Sequence, residues 1–194
     1  MTSPAPSASA ASTPQPEHTP VFDTAARRSA PHELLGLTSP AYGGDYNPEQ
    51  WDEATLAEDL ELMAEAGVNL VSLGIFSWAR LEPREGTYEL DWLVELVGRL
   101  HDAGIAVDLA TATASPPAWM ATDHPESLPM TADGVRLGLG SRQQYCPSST
   151  VYRERSTALT RVLAERLGEH PGVVMWHIGN EYGCHTAECF CPAC

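Results

Sequence analysis

Lysine is absent from this chain of 194 residues: all 11 basic side chains are Arg, against 26 Asp and Glu, for a formal net charge of −15. So acidic a balance excludes a nucleic-acid backbone or an anionic membrane surface as partner. Long apolar runs are missing too, and none approaches the roughly 18 consecutive residues of a spanning helix. The N-terminal stretch MTSPAPSASAASTPQPEHTP carries neither the basic nor the apolar segment of a secretion signal. A soluble, cytoplasmic protein is therefore expected. No Gly-rich phosphate loop opens a helix, which speaks against nucleotide binding. What is present suffices for a core: 43% of residues are hydrophobic and only 19% charged, so wholesale disorder is excluded.

Proline is unevenly spread. Seven of the 16 prolines lie in the first 40 residues among Ser, Ala and Thr, and no apolar periodicity appears before Leu35. Residues 1–34 read as a disordered Pro/Ser/Ala-rich extension, and residues 35–194 as the folded part. Within it a cycle repeats. Leu56, Leu60 and Met63 keep helical spacing behind Asp52 or Glu53, and Gly67 stands where a left-handed residue ends such a helix. A short strand over 68–74 follows. Asp91 then caps a helix with Leu93, Leu96, Val97 and Leu100 on one face, closed by Gly104 and followed by a strand over 105–110. A third helix over 151–167 leads through His170-Pro171-Gly172 into a strand over 173–178, and residues 41–45 supply the first strand.

Strands alternating with helices of this length pair in parallel through right-handed crossovers, which gives an α/β architecture. The unusual residues choose between a doubly wound sheet and a barrel. Asp45-Tyr46, Phe76-Ser77-Trp78, Ser115-Pro116-Pro117 and Asn180-Glu181 all follow strand ends, as on the C-terminal face of a (β/α)8 barrel. Four βα units make half of such a barrel, whose typical length is about 250 residues. The chain is thus expected to be the N-terminal half of a TIM barrel, truncated after the fourth strand, with an unpaired sheet edge.

Asn180-Glu181 is the strongest carboxylate signal. A Glu at a barrel strand's C-terminal end points into the mouth, and an adjacent Asn can hold a substrate hydroxyl, so the pair has the chemistry of a general acid and its positioning partner. Capping of a following helix is the competing reading. Cys189-Phe190-Cys191-Pro192-Ala193-Cys194 places three thiols within reach of one tetrahedral zinc, and Cys146 can approach from the loop after the third strand to complete a closed, structural site. Free buried thiols or disulfides are the alternatives, the latter disfavoured without a secretion signal. Cys184 and His185 are spare donors. Arg142 can reach a substrate group or stand in solvent. Trp78 is the better sugar platform, while Trp176, in mid-strand, suits the core. His124, His170 and His177 have structural roles by default.

Several runs together carry a family resemblance: Tyr42-Gly43-Gly44-Asp45-Tyr46-Asn47-Pro48-Glu49-Gln50-Trp51, Phe76-Ser77-Trp78-Ala79-Arg80-Leu81-Glu82-Pro83, Ala114-Ser115-Pro116-Pro117-Ala118-Trp119, Ser141-Arg142-Gln143-Gln144-Tyr145-Cys146-Pro147, and Asn180-Glu181-Tyr182-Gly183-Cys184-His185 before the Cys triplet. The sequence resembles, over about residues 36–194, the N-terminal part of glycoside hydrolase family 42, the β-galactosidases. The resemblance implies a (β/α)8 barrel that hydrolyses terminal β-D-galactosides with retention, as a homotrimer. It implies Glu181 as acid/base, Asn180 as its substrate-binding neighbour, Arg142 near a substrate-binding Arg, and Cys146, Cys189, Cys191 and Cys194 as structural zinc ligands. Gln143 departs from the pattern, standing where some members have a second Arg. The family's nucleophilic Glu lies on a later strand, so this chain alone is expected to be inactive. A related retaining barrel glycosidase, or a non-enzymatic zinc-binding module, are the alternative functions.

Overall fold

The computed structural model describes residues 30–140 and 142–194. Residues 1–29 of the expected extension, and Ser141 of the Arg142 run, lie outside the described residues. Pro31–Leu34, expected within the extension, form one helical turn, α1. The remaining elements follow in the order β1 (Asp45–Tyr46), α2 (Glu53–Ala66), β2 (Leu70–Leu73), α3 (Trp78–Leu81), α4 (Asp91–Asp102), β3 (Ala106–Ala110), α5 (Ala118–Asp123), α6 (Thr150–Leu167) and β4 (Val173–His177). The four strands form one sheet, ordered β1-β2-β3-β4, with every pairing parallel. This is the expected series of βα units, with three short α-helices and two 3-10 turns (Pro48–Gln50 and Pro125–Ser127) added.

Two expectations need correction. The first strand is shorter than 41–45 and lies at its far end. The Tyr42 and Gly44 carbonyls do accept from Asn69, Leu70 and Ser72 N–H groups, so the segment runs beside β2, but the ladder begins only at Asp45 opposite Ser72. Upstream, the Tyr42 N–H is taken by the Asn69 side chain at 2.7 Å. Gly43 permits this approach, because a β-carbon there would run into the Leu70 carbonyl. The second correction concerns Asp91, which is the first helical residue of α4 rather than its cap. Leu90 already has helical backbone angles and is buried, and the Asp91 carboxylate instead meets Arg166 at 3.1 Å. By contrast, Asp52 caps α2 as expected, accepting from the Thr55 N–H, and Gly67 closes that helix at φ 74°.

Strand alternation sorts the side chains. Val71 and Leu73 of β2 pair in register with Val107 and Leu109 of β3, and all four are buried. They meet Leu93, Leu96, Val97 and Leu100 of α4 and Leu159, Leu163 and Leu167 of α6 in one core. The other face of the sheet carries Ser72 opposite Asp108, polar where barrel interiors are usually filled by branched aliphatics. At β4 the burial lapses: Met175 in the strand is 40% exposed, and Ile178 just beyond its end 70%.

Candidate active site and cysteine cluster

The loops that leave the C-terminal ends of β3 and β4 hold unusual backbone. Among the described residues, Ala112, Gln143 and Glu181 are the non-glycine residues with positive φ, at 59°, 58° and 44°. Such strain persists where surrounding contacts over-determine it, and it concentrates at functional sites.

Hydrogen bonds from neighbouring loops hold the turn after β4. The Gly179 N–H donates to Thr111 Oγ1 at 3.2 Å, and the Gln143 carboxamide donates to the Asn180 carbonyl. Gly179 takes φ 69°, and a β-carbon there would collide with the Tyr182 ring, whose hydroxyl donates to the Ile178 carbonyl. Glu181 emerges half-exposed. Its Oε2 lies 3.4 Å from Arg142 Nη2 and 3.7 Å from His185 Nε2. The Arg142 guanidinium stacks on the Phe76 ring at 4.8 Å, so loops following β2, β3 and β4 converge on one carboxylate. Arg142, 38 residues upstream, is thereby brought to the Asn180-Glu181 pair; a half-exposed carboxylate flanked by a guanidinium and an imidazole can exchange a proton with, and orient, a hydroxyl-bearing ligand.

The cysteines also converge. The Sγ atoms of Cys146, Cys189, Cys191 and Cys194 lie within 4.8 Å of one another. Cys146 is 3.3 Å from Cys194 and 3.4 Å from Cys191, and Cys191 is 3.9 Å from Cys194. A tetrahedral zinc with Zn–S bonds of about 2.3 Å sets its sulfurs about 3.8 Å apart, so the four thiols fit the ion with small shifts. Burial first, then hydrogen bonds with Cys194 and Cys191, push the Cys146 thiol up to about 12. Burial opposes ionisation of Cys189 as well, but hydrogen bonds from the backbone N–H groups of Cys191 and Met130 outweigh it and bring that thiol down to about 7. Cys184, a spare donor by sequence, is exposed and outside the group; its N–H donates to the Glu181 carbonyl within the turn after β4.

Trp78 is not a sugar platform. It is fully buried as the first residue of α3, whose inner side carries Trp78 and Leu81 into the core, and its Nε1 donates to Glu82 Oε2 at 2.8 Å. Trp176 packs half-buried against that core, as its mid-strand place predicts. One polar row escaped the sequence reading. Asp108, buried in mid-sheet, accepts from Ser72 Oγ at 2.9 Å and lies 3.6 Å from His177 Nδ1, while its Oδ1 is buried without a hydrogen-bond partner. The signal was available, since an Asp inside the apolar run Ile105-Ala106-Val107-Asp108-Leu109 has to face the sheet's other side.

The family model Glyco_hydro_42, described as β-galactosidase, matches residues 45–194. The chain belongs to that family. A β-galactosidase from Arthrobacter sp. is 59% identical over 147 residues, covering 76% of this chain and 21% of the relative. The β-galactosidase LacZ of Heyndrickxia coagulans is 56% identical, covering 79% and 23%. Among solved structures, the cold-adapted β-galactosidase of Rahnella sp. R3 superposes with a TM-score of 0.77 at 44% identity, covering 81% of this chain and 23% of that one. The chain thus spans under a quarter of the length of these glycoside hydrolase family 42 relatives, and its four βα units are the first half of a (β/α)8 barrel.

Proposed function

We propose that this family 42 chain forms the N-terminal half of the catalytic barrel of a retaining β-galactosidase that hydrolyses terminal non-reducing β-D-galactosides. The convergence of Arg142 on Glu181 at the C-terminal end of β4, in a chain 59% identical to a β-galactosidase, carries this reading. Glu181 protonates the glycosidic oxygen as the bond breaks and later takes a proton from the attacking water. Asn180 and Arg142 hold hydroxyl groups of the sugar beside that bond. Retention requires a second carboxylate about 5 Å from the first. Past β4 the only other carboxylate side chain in this sequence is Glu188, exposed in the cysteine-rich segment, so the 194-residue chain by itself does not turn over galactosides. The exposure of Met175 in β4 and of Ile178 just after it supports further strands packing there in the working enzyme.

Cys146, Cys189, Cys191 and Cys194 hold one zinc ion. Four thiolates leave no open position, so the ion's chemistry is structural, tying the loop before α6 to the segment after β4. The enzyme acts in the cytoplasm, where the five free cysteines remain reduced, and assembles as a homotrimer. No described helix is long and apolar enough to cross a membrane.

The test is Glu181→Gln in the complete barrel enzyme, which keeps the shape and removes the titrating proton. Lactose turnover falls by about two or more orders of magnitude, while kcat/KM for a nitrophenyl galactoside, whose leaving group needs little protonation, falls less. Lactose hydrolysis at the normal rate in that variant would refute the role.

A further inference from the structure

Gln143 stands between Arg142 and the first cysteine of the cluster, and it is 5% exposed. Its left-handed backbone, φ 58°, is held from three directions. The Gln143 N–H donates to the Ala114 carbonyl, in the loop after β3, at 2.7 Å. Its own carbonyl accepts from Thr186 Oγ1, near the start of the cysteine-rich segment, at 3.1 Å. Its side-chain Nε2 donates to the carbonyl of Asn180.

That last acceptor matters because the Asn180 carbonyl belongs to the peptide plane that enters Glu181. Holding this plane restrains, from its N-terminal side, the rotation that gives Glu181 its φ of 44°, and with it the direction in which the side chain leaves the backbone. We propose that Gln143 is a positioning residue for Glu181: its carboxamide locks the peptide leading into the acid/base turn, and its backbone ties that turn to the cysteine cluster. A carboxamide suits the task, since an apolar side chain of equal size leaves the Asn180 carbonyl without this donor, and a carboxylate repels it. The inference rests on the reading of Glu181 as the proton donor.

The experiment compares Gln143→Met, Gln143→Arg and Glu181→Gln in the complete barrel enzyme, with lactose and a dinitrophenyl galactoside as substrates. A mis-aimed acid penalises the substrate that needs protonation. Gln143→Met therefore lowers kcat/KM for lactose about tenfold or more and that for the dinitrophenyl galactoside less than about threefold. Gln143→Arg, which keeps N–H donors on a long stem, recovers most of the lactose activity. Equal losses on both substrates, or no loss, overturn the positioning role. Should Glu181→Gln retain lactose activity, the acid/base reading falls and this inference with it; should Glu181→Gln be inactive on lactose while Gln143→Met matches the parent, only the positioning role falls. Where Gln143→Met does not fold, Thr186→Val removes just the hydroxyl that holds the Gln143 carbonyl. It produces the same selectivity at about threefold, and an unchanged ratio between the two substrates overturns the proposal.

Discussion

Removing the zinc proposed for the four-cysteine site tests how much of the fold this cluster holds. The Cys146–Cys191 contact joins residues 45 apart in sequence, enclosing α6 and β4. A cross-link of that span withdraws about 4 kcal/mol of unfolded-chain entropy. Mass action gives a similar figure, about 4 kcal/mol when free zinc exceeds its dissociation constant a thousandfold. The sulfur positions need little adjustment, since the separations of 3.3, 3.4 and 3.9 Å bracket those around a tetrahedral ion. Against a typical stability of about 5–15 kcal/mol, that is a large share, and it corresponds to a fall in melting temperature on the order of 10 °C. The assay is thermal unfolding of the complete enzyme before and after chelation, with metal content measured in parallel. One zinc per chain, four sulfur ligands at about 2.3 Å by X-ray absorption, and a matching loss of stability in Cys191→Ser are the expected results. Cys184→Ser, exposed and outside the cluster, leaves metal and melting unchanged. A zinc content far below one per chain after metal-supplemented preparation, or an unmoved melting temperature on chelation, would refute the reasoning.

Other perturbations test the frame that presents the site. Leu163, fully buried where α6 meets the sheet, loses about 2–5 kcal/mol on replacement by Ala, read as a lowered denaturant midpoint in urea unfolding. Gly43→Ala drives a β-carbon into the Leu70 carbonyl and destabilises the β1–β2 edge, which hydrogen exchange at Ser72 detects as faster opening. The backbone N–H of Thr55 at the helix start holds the Asp52 carboxyl below its ordinary range. Its contribution is therefore complete above about pH 4 and lost as pH falls through the depressed value, so Asp52→Asn flattens the acid limb of the stability profile. An unchanged acid limb in that variant contradicts the capping role.

Sequence alone determined the succession of βα units, the helix faces and the two chemical clusters. Those features depend on local rules. Leu93, Leu96, Val97 and Leu100 can share only one face of a helix, and Cys189, Cys191 and Cys194 are neighbours in any fold. Asn180-Glu181 was legible for the same reason, as a polar pair directly after an apolar strand. Tertiary structure decided whatever depends on which loop lies over which. Trp78 and Trp176 are the same residue type, yet a turn buries the first completely and leaves the second at the rim of the core. Asp91 has the chemistry of a cap, but burial of Leu90 starts the helix one residue earlier. The Ser72–Asp108–His177 row and the hold of Gln143 on Asn180 join residues from separate βα units. Periodicity along the chain reports which side a residue faces; only the parallel register and the crossing of the loops set the distances between them.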